Sequence, residues 1–309
     1  MSPDAQPDPE PGFRPSDRQR ADRRRGRRAR SGARSRPREV ELRKLLPNLM
    51  TAGALCAGVA SIYFAEKYTP TSNDVTPLMR AIALIGLAFV LDGLDGRLAR
   101  LLKATSRFGE RFDSISDFVA FGLAPAFILY RWLLGGLDLV GFAVVVCYAL
   151  CAAIRLARFA RQARRKAVNA PVARFFTGLP APAAGFVVML PLLAALSPTL
   201  ARWTGTDTSA WLTLHWLPWV VLGHTVLISA LMVSTVPMLS VKHMRVDRRV
   251  LVPLMLGVGV LAVLLAKDAW LTLACLAAIY LLSLPLAVRA SKRDPGLVKV
   301  PDTNSGPVT

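Results

Sequence analysis

Long apolar runs separated by short charged joints fill the chain from residue 49 onward. Eight of them are long enough to cross a bilayer as helices. They run roughly over Leu49–Ala65, Leu78–Leu98, Ser116–Leu134, Leu139–Phe159, Phe176–Leu196, Trp216–Val236, Val250–Ala266 and Trp270–Val288. Short segments of alternating polarity, which a membrane barrel requires, are missing from the pattern. The expected fold class is all-α: a polytopic transmembrane helical bundle of about eight spans. Several runs carry Pro or Gly, such as Pro180 and Pro182, which membrane helices tolerate.

The charges orient this bundle. With the N-terminus on the cytoplasmic side, the joints alternate cleanly. The inner joints hold Arg100, Lys103, Arg107 and Arg111, then the basic stretch Arg161–Arg174, then Lys242–Arg249, then the RASKR tail. The outer joints, Glu66–Pro77, Gly135–Asp138, Ser197–His215 and Lys267–Ala269, are poor in Lys and Arg. The expected arrangement is therefore a multi-pass membrane protein with its N-terminus in the cytoplasm.

Composition changes this picture little. The chain has 309 residues, 53% of them hydrophobic, and a formal net charge of +19. Much of the excess lies between Arg14 and Arg38, a run with too little apolar surface to fold alone. Beside a membrane span it reads as a disordered cytoplasmic arm attracted to anionic lipid headgroups rather than to nucleic acid. It is too long a basic region for a secretory signal, and no A-x-A site follows the first span. Residues 1–45 form the expected arm, 46–242 the transmembrane core, 243–290 two additional helices and 291–309 a cytoplasmic tail. Cys56, Cys147, Cys151 and Cys275 lie in apolar runs without a C-x-x-C, and His215, His224 and His243 are scattered, so neither set reads as a metal or redox centre.

Asp92, Asp95, Asp113 and Asp117 stand out at the inner joint of the second and third runs. Carboxylates inside membrane spans are costly and mark functional sites by default. On a helix Asp92, Asp95, Gly96 and Ala99 share one face, and so do Gly109, Asp113 and Asp117. Two antiparallel helices joined by a short turn would point both faces into one pocket. Four carboxylates there need protons or cations to coexist. An all-oxygen set suits Mg²⁺ or Mn²⁺, with Ca²⁺ a third candidate, and two ions can clamp a pyrophosphate. Gly96 and Ala99 leave room for a nucleotide, and Arg100 offers donors to phosphate oxygens. Salt bridges to Arg97, Arg100, Arg107 and Arg111 are the structural alternative.

The segment Asp92–Asp117 reads D-x-x-D-G-x-x-A-R-x8-G-x3-D-x3-D, eight fixed positions over 26 residues. It resembles the defining motif of the CDP-alcohol phosphotransferase family. That resemblance implies transfer of a phosphoryl-linked group from a CDP-alcohol to a second alcohol, with CMP leaving. It implies that Asp92, Asp95, Asp113 and Asp117 hold metal, two ions being expected, and that Asp117 is also the catalytic base. Asn48, Thr51, Gly96, Ala99, Arg100, Ser106 and Gly109 would contact the CDP-lipid. The family also tends to form homodimers, for which the last two spans are candidates.

Further segments are similar to the bacterial, membrane-integral phosphatidylserine synthases within that family: the opening PNLMT, FDSISDFVAFGLAPA, IRLARF, FTGLPAPAA and LMVSTVPMLSVK. The pattern departs at Ala160, where Asn is expected after RLARF. The resemblance implies CDP-diacylglycerol as donor and L-serine as acceptor, with the active site facing the cytoplasm. Arg155 and Arg158 could receive a serine carboxylate or a lipid phosphate, or simply snorkel to headgroups. Thr177, opening the fifth run beside Gly178 and Pro180, could lie at an anion-binding helix start. Rival readings are another acceptor, glycerol phosphate or inositol, an intramembrane Mg-dependent prenyltransferase, or a cation-coupled transporter. The paired N-D-x-x-D patterns of the second rival and the internal repeat of the third are not found.

Overall fold

The computed structural model describes residues 42–71, 74–102, 106–166, 175–205, 211, 214–234, 237–239 and 248–293. Most of the expected N-terminal arm, the tail beyond residue 293 and parts of the basic joints lie outside the described residues. Residues 42–45, expected within the arm, belong to the first helix.

Eleven helices are named here: α1 Leu42–Glu66, α2 Thr76–Leu101, α3 Arg107–Asp117, α4 Ala124–Trp132, α5 Asp138–Lys166, α6 Ala181–Val188, α7 Leu190–Ala195, α8 Pro198–Thr204, α9 Leu217–Val233, α10 Arg248–Lys267 and α11 Ala269–Arg293. The stretches Leu45–Glu66, Thr76–Leu101, Phe108–Trp132 and Leu134–Arg161 are long and apolar enough to cross a membrane. Leu217–Val233, Met255–Lys267 and Ala269–Pro285 are shorter apolar helices.

Small residues let the first helices approach closely. The buried face of α1 reads Pro47, Thr51, Ala54, Gly58, Ser61 and Ala65, spaced alternately by four and three. α2 packs along it as the most extensive helix pair described. At its start, the Thr76 amide donates to Asp74 Oδ1 at 2.9 Å and Pro77 occupies the first turn. A side chain at Gly58 would press on the Ala120 backbone, its Cβ 3.0 Å from Ala120 Cα. At the far end, Arg131 donates to the Tyr68 carbonyl at 2.8 Å and pairs with Glu66 at 3.5 Å, tying the end of α4 to the end of α1.

The third apolar run begins earlier than its hydropathy suggests. Ser106 caps α3, accepting the Gly109 amide at 3.0 Å, so the helix includes the polar residues before Ser116. Between α3 and α4 the chain makes a π-helical turn, Phe118–Leu123. One extra residue turns the following helix by about 100°. α3 can thus present its acidic face to α2 while α4 buries Ile128, Leu129 and Trp132 in the core. Tyr148 of α5, fully buried, donates to the Phe121 carbonyl within this turn at 3.1 Å.

The fifth run is not one helix. Phe175–Thr177 (β1) pairs antiparallel with Pro237–Leu239 (β2), so a two-stranded ladder interrupts the all-α architecture. Gly178 follows with φ +83, where a Cβ would lie 2.9 Å from the Ser234 carbonyl. The helix starts only at Ala181, with Pro182 in its first turn. Pro191 then divides it into α6 and α7, because its ring removes an amide donor and crowds the preceding turn.

Asp268, between α10 and α11, fastens the C-terminal helices to the rest. Its carboxylate accepts the Ser197 hydroxyl at 2.6 Å and the Thr199 amide at 3.1 Å, at the start of α8. It also accepts the Leu271 amide at 3.0 Å, at the start of α11. Burial would raise its pKa, but the hydrogen bonds from Leu271, Ser197 and Thr199 together hold it below the ordinary carboxylate value. A depressed carboxylate contributes stability above its unfolded pKa, which is lost as pH falls through the folded one. Asp268→Ala is expected to lower stability by about 1–2 kcal/mol at neutral pH. Thermal melts in detergent should show that deficit shrinking as the pH falls through the carboxylate range.

Candidate active site

The buried stripe of α2 runs Leu78, Ala81, Ile82, Ile85 and Ala88, and its next members are Asp92 and Asp95. The two carboxylates therefore continue the face that packs against the bundle, not one that looks outward. Asp95 is 4% exposed. α3 returns antiparallel after the joint and brings Asp113 and Asp117 to the same place. One oxygen each of Asp92, Asp95 and Asp113 lie within 4.8 Å of one another. Asp92 is also within hydrogen-bonding reach of both Asp113 and Asp117.

α1 supplies the floor. The Thr51 hydroxyl donates to Asp95 Oδ2 at 2.6 Å and lies 3.1 Å from the Pro47 carbonyl. Ser116 of α3 donates to the Thr51 carbonyl at 3.2 Å, locking α3 to the same turn of α1. Gly109 sits against Asn48, where a Cβ would be 3.0 Å from Asn48 Oδ1. Gly96 faces open space, so the acidic wall has room beside it.

No ion pair joins any of the four aspartates to an arginine among the described residues. Arg97, Arg100 and Arg111 therefore do not pair with these carboxylates, and the Arg107 side chain lies outside the described residues. Adjacent carboxylates can approach this closely only through a shared proton or a cation. Asp117 Oδ1 is buried with no hydrogen-bond partner. A clustered, all-oxygen donor set with one orphaned oxygen fits a hard divalent cation such as Mg²⁺ or Mn²⁺.

The other expected residues divide. Asn48, Thr51, Ser106 and Gly109 converge at the α1–α3 contact. Thr51 is committed to Asp95, which makes it a support for the acidic cluster more than a nucleotide contact. Ala99 is half-buried on α2, while Arg100 is exposed and folds back so that its Nε donates to the Gly96 carbonyl at 2.9 Å. Arg155 points into the bundle from α5, within electrostatic range of Asp117, so it does not snorkel. Its Nε is buried and unpartnered. Arg158 is exposed and donates to the Val233 carbonyl at 2.6 Å, capping the end of α9. Thr177 lies in β1 opposite Pro237, four residues before α6 begins.

Sequence reasoning misses two contributors: Ser116 is legible only as part of the motif's filler, and Tyr148 stands alone in an apolar helix, where a tyrosine ordinarily reads as packing.

Comparison with known proteins agrees with this geometry. Residues 44–227 match the family described as CDP-alcohol phosphatidyltransferase, and residues 249–285 match CDP-alcohol phosphatidyltransferase 2. The chain is 36% identical over 257 residues to a CDP-diacylglycerol–serine O-phosphatidyltransferase of Mycobacterium leprae, covering 82% of this chain and 78% of that protein. A protein of the same name from Mycobacterium bovis is 34% identical over 249 residues, covering 81% and 80%. One from Helicobacter pylori is 40% identical over 149 residues, covering 48% and 57%.

The Thr51–Asp95 bond yields a direct expectation. Thr51→Val keeps the side-chain shape but removes the donor, and loss of such a supporting bond weakens metal sites about 10–100-fold. The midpoint of Mn²⁺-induced thermal stabilisation should rise by that factor, whereas Thr51→Ser should stay near wild type.

Proposed function

The chain belongs to the CDP-alcohol phosphatidyltransferase family, and from that premise we propose that it transfers the phosphatidyl group of CDP-diacylglycerol to L-serine, giving phosphatidylserine and CMP. The observation that carries this reading is the convergence of Asp92, Asp95, Asp113 and Asp117 at one end of the α2–α3 hairpin. The serine assignment is supported by the likeness to serine-specific relatives along most of the chain.

Asp92, Asp95 and Asp113, with Asp117, would hold one or two divalent ions, Mg²⁺ or Mn²⁺. Bound there, the ions would neutralise the pyrophosphate and the departing CMP. The chain's own groups do the rest. The open space at Gly96 admits the donor headgroup beside the acidic wall. Asn48, Ser106 and Gly109 border it from the α1–α3 contact. Arg155, half-buried and within electrostatic range of Asp117, would receive the serine carboxylate. That would fix the hydroxyl against Asp117, whose unpartnered oxygen takes its proton. The serine Oγ–phosphorus bond forms on the lipid side, and the bond from that phosphorus to the CMP oxygen breaks.

The positive-inside pattern supports a reading in which this end of the bundle faces the cytoplasm of a bacterial inner membrane. The arginine-rich arm would then meet anionic headgroups. A homodimer is the expected assembly.

Purified protein with Mg²⁺ or Mn²⁺ should convert labelled serine and CDP-diacylglycerol into phosphatidylserine, with glycerol phosphate and inositol inactive as acceptors. Asp92→Asn and Asp113→Asn should each lower turnover by at least about a thousandfold while the protein still folds. Product from glycerol phosphate or inositol but not serine would reassign the acceptor. Full activity in both variants would remove the aspartates from the mechanism.

A further inference from the structure

The four cysteines carry no C-x-x-C, yet two of them become neighbours on α5. Cys147 and Cys151 are one helical turn apart and share a face. Both are free thiols, Cys147 exposed and Cys151 half-buried. Their side chains lie within hydrogen-bonding reach of each other. Leu150, 59% exposed, and Ile154, 46% exposed, stand on the same side of the helix. Tyr148 and Ala152, both fully buried, mark the side that packs into the bundle. The pair also lies well inside the stretch Leu134–Arg161, which is long and apolar enough to cross a membrane. The two thiols therefore open toward the apolar phase.

That setting selects the chemistry. Cβ atoms one turn apart on a helix stand about 5–6 Å from each other, whereas a disulfide needs about 3.5–4.5 Å. A direct S–S bond would have to distort α5, but one bridging atom between the sulfurs spans the wider gap. Zinc is a poor bridge here, because its structural sites take four donors and the pair supplies two. A soft monocation such as Cu⁺ held by two thiolates would leave a net negative charge, which apolar surroundings penalise. A trivalent organoarsenical meets neither obstacle, since it takes two sulfurs and leaves a neutral adduct.

We propose that Cys147 and Cys151 form a two-thiol site for lipid-soluble trivalent arsenicals. Each S–H bond gives way to an S–As bond. The two thiol protons leave with the arsenic-bound oxygen as one water, and arsenic stays trivalent throughout. The site is separate from the aspartate cluster and does not depend on the serine reading.

Phenylarsine oxide added to the full-length protein in detergent tests this, with intact-protein mass spectrometry as the readout. One arsenical per chain, bound with loss of one water, should survive a wash in 2-mercaptoethanol and leave with 2,3-dimercaptopropanol. The second S–As bond forms within one molecule, so the 2-mercaptoethanol concentration that strips half the adduct should be about 100-fold higher than for a one-thiol adduct. Cys147→Ala and Cys151→Ala should each drop to the one-thiol value. The double variant Cys56→Ala/Cys275→Ala should behave as wild type. Loss of the wild-type adduct in the monothiol wash overturns the proposal. So does its survival in Cys147→Ala or Cys151→Ala, or its loss in the Cys56→Ala/Cys275→Ala variant.

Discussion

Four carboxylates converge at a partly buried site, and the surrounding fold must make that tolerable. Charges within 4.8 Å of one another repel by roughly 3 kcal/mol per pair at the effective dielectric of a partly buried site. No arginine pairs with these groups among the described residues. A divalent cation relieves the repulsion, and the same ion is what pyrophosphate chemistry needs. The energetic problem and the function are therefore one feature.

The bundle is arranged to keep the four groups in place. Their positions come from helix phase: Asp92 and Asp95 continue an apolar stripe of α2, and the π-helical turn after Asp117 lets α3 and α4 bury different faces. Their rigidity comes from close contacts. Gly58 admits the Ala120 backbone, and a Cβ at Gly122 would lie 3.0 Å from the Ala152 side chain. Thr51 and Ser116 then connect α1 to both acidic helices. A loose version of this site would let its carboxylates move apart under their mutual repulsion.

Much of this was legible in the chain. The apolar runs marked most helices, and the aspartate spacing marked the pocket, because helical period alone places those residues on facing surfaces. The fifth run misled, since hydropathy does not register that Pro191 divides a helix or that Phe175–Thr177 pairs with a segment some sixty residues later. The two arginines of RLARF looked equivalent in sequence. Their different roles depend on which face of α5 meets the acidic cluster and which meets the end of α9, and only tertiary packing decides that. Tyr148 is hidden for the same reason: a lone tyrosine in an apolar helix carries no signal until its neighbour, here the Phe121 carbonyl, is known.

The central claim is that these aspartates form a cation site. Equilibrium binding of Mn²⁺ to the purified protein, followed by electron paramagnetic resonance, tests it without any substrate. Wild-type protein should take up Mn²⁺ saturably at one or two sites, and Asp113→Asn should lose that uptake while keeping its thermal unfolding transition. Equal Mn²⁺ binding by the two proteins would contradict the account.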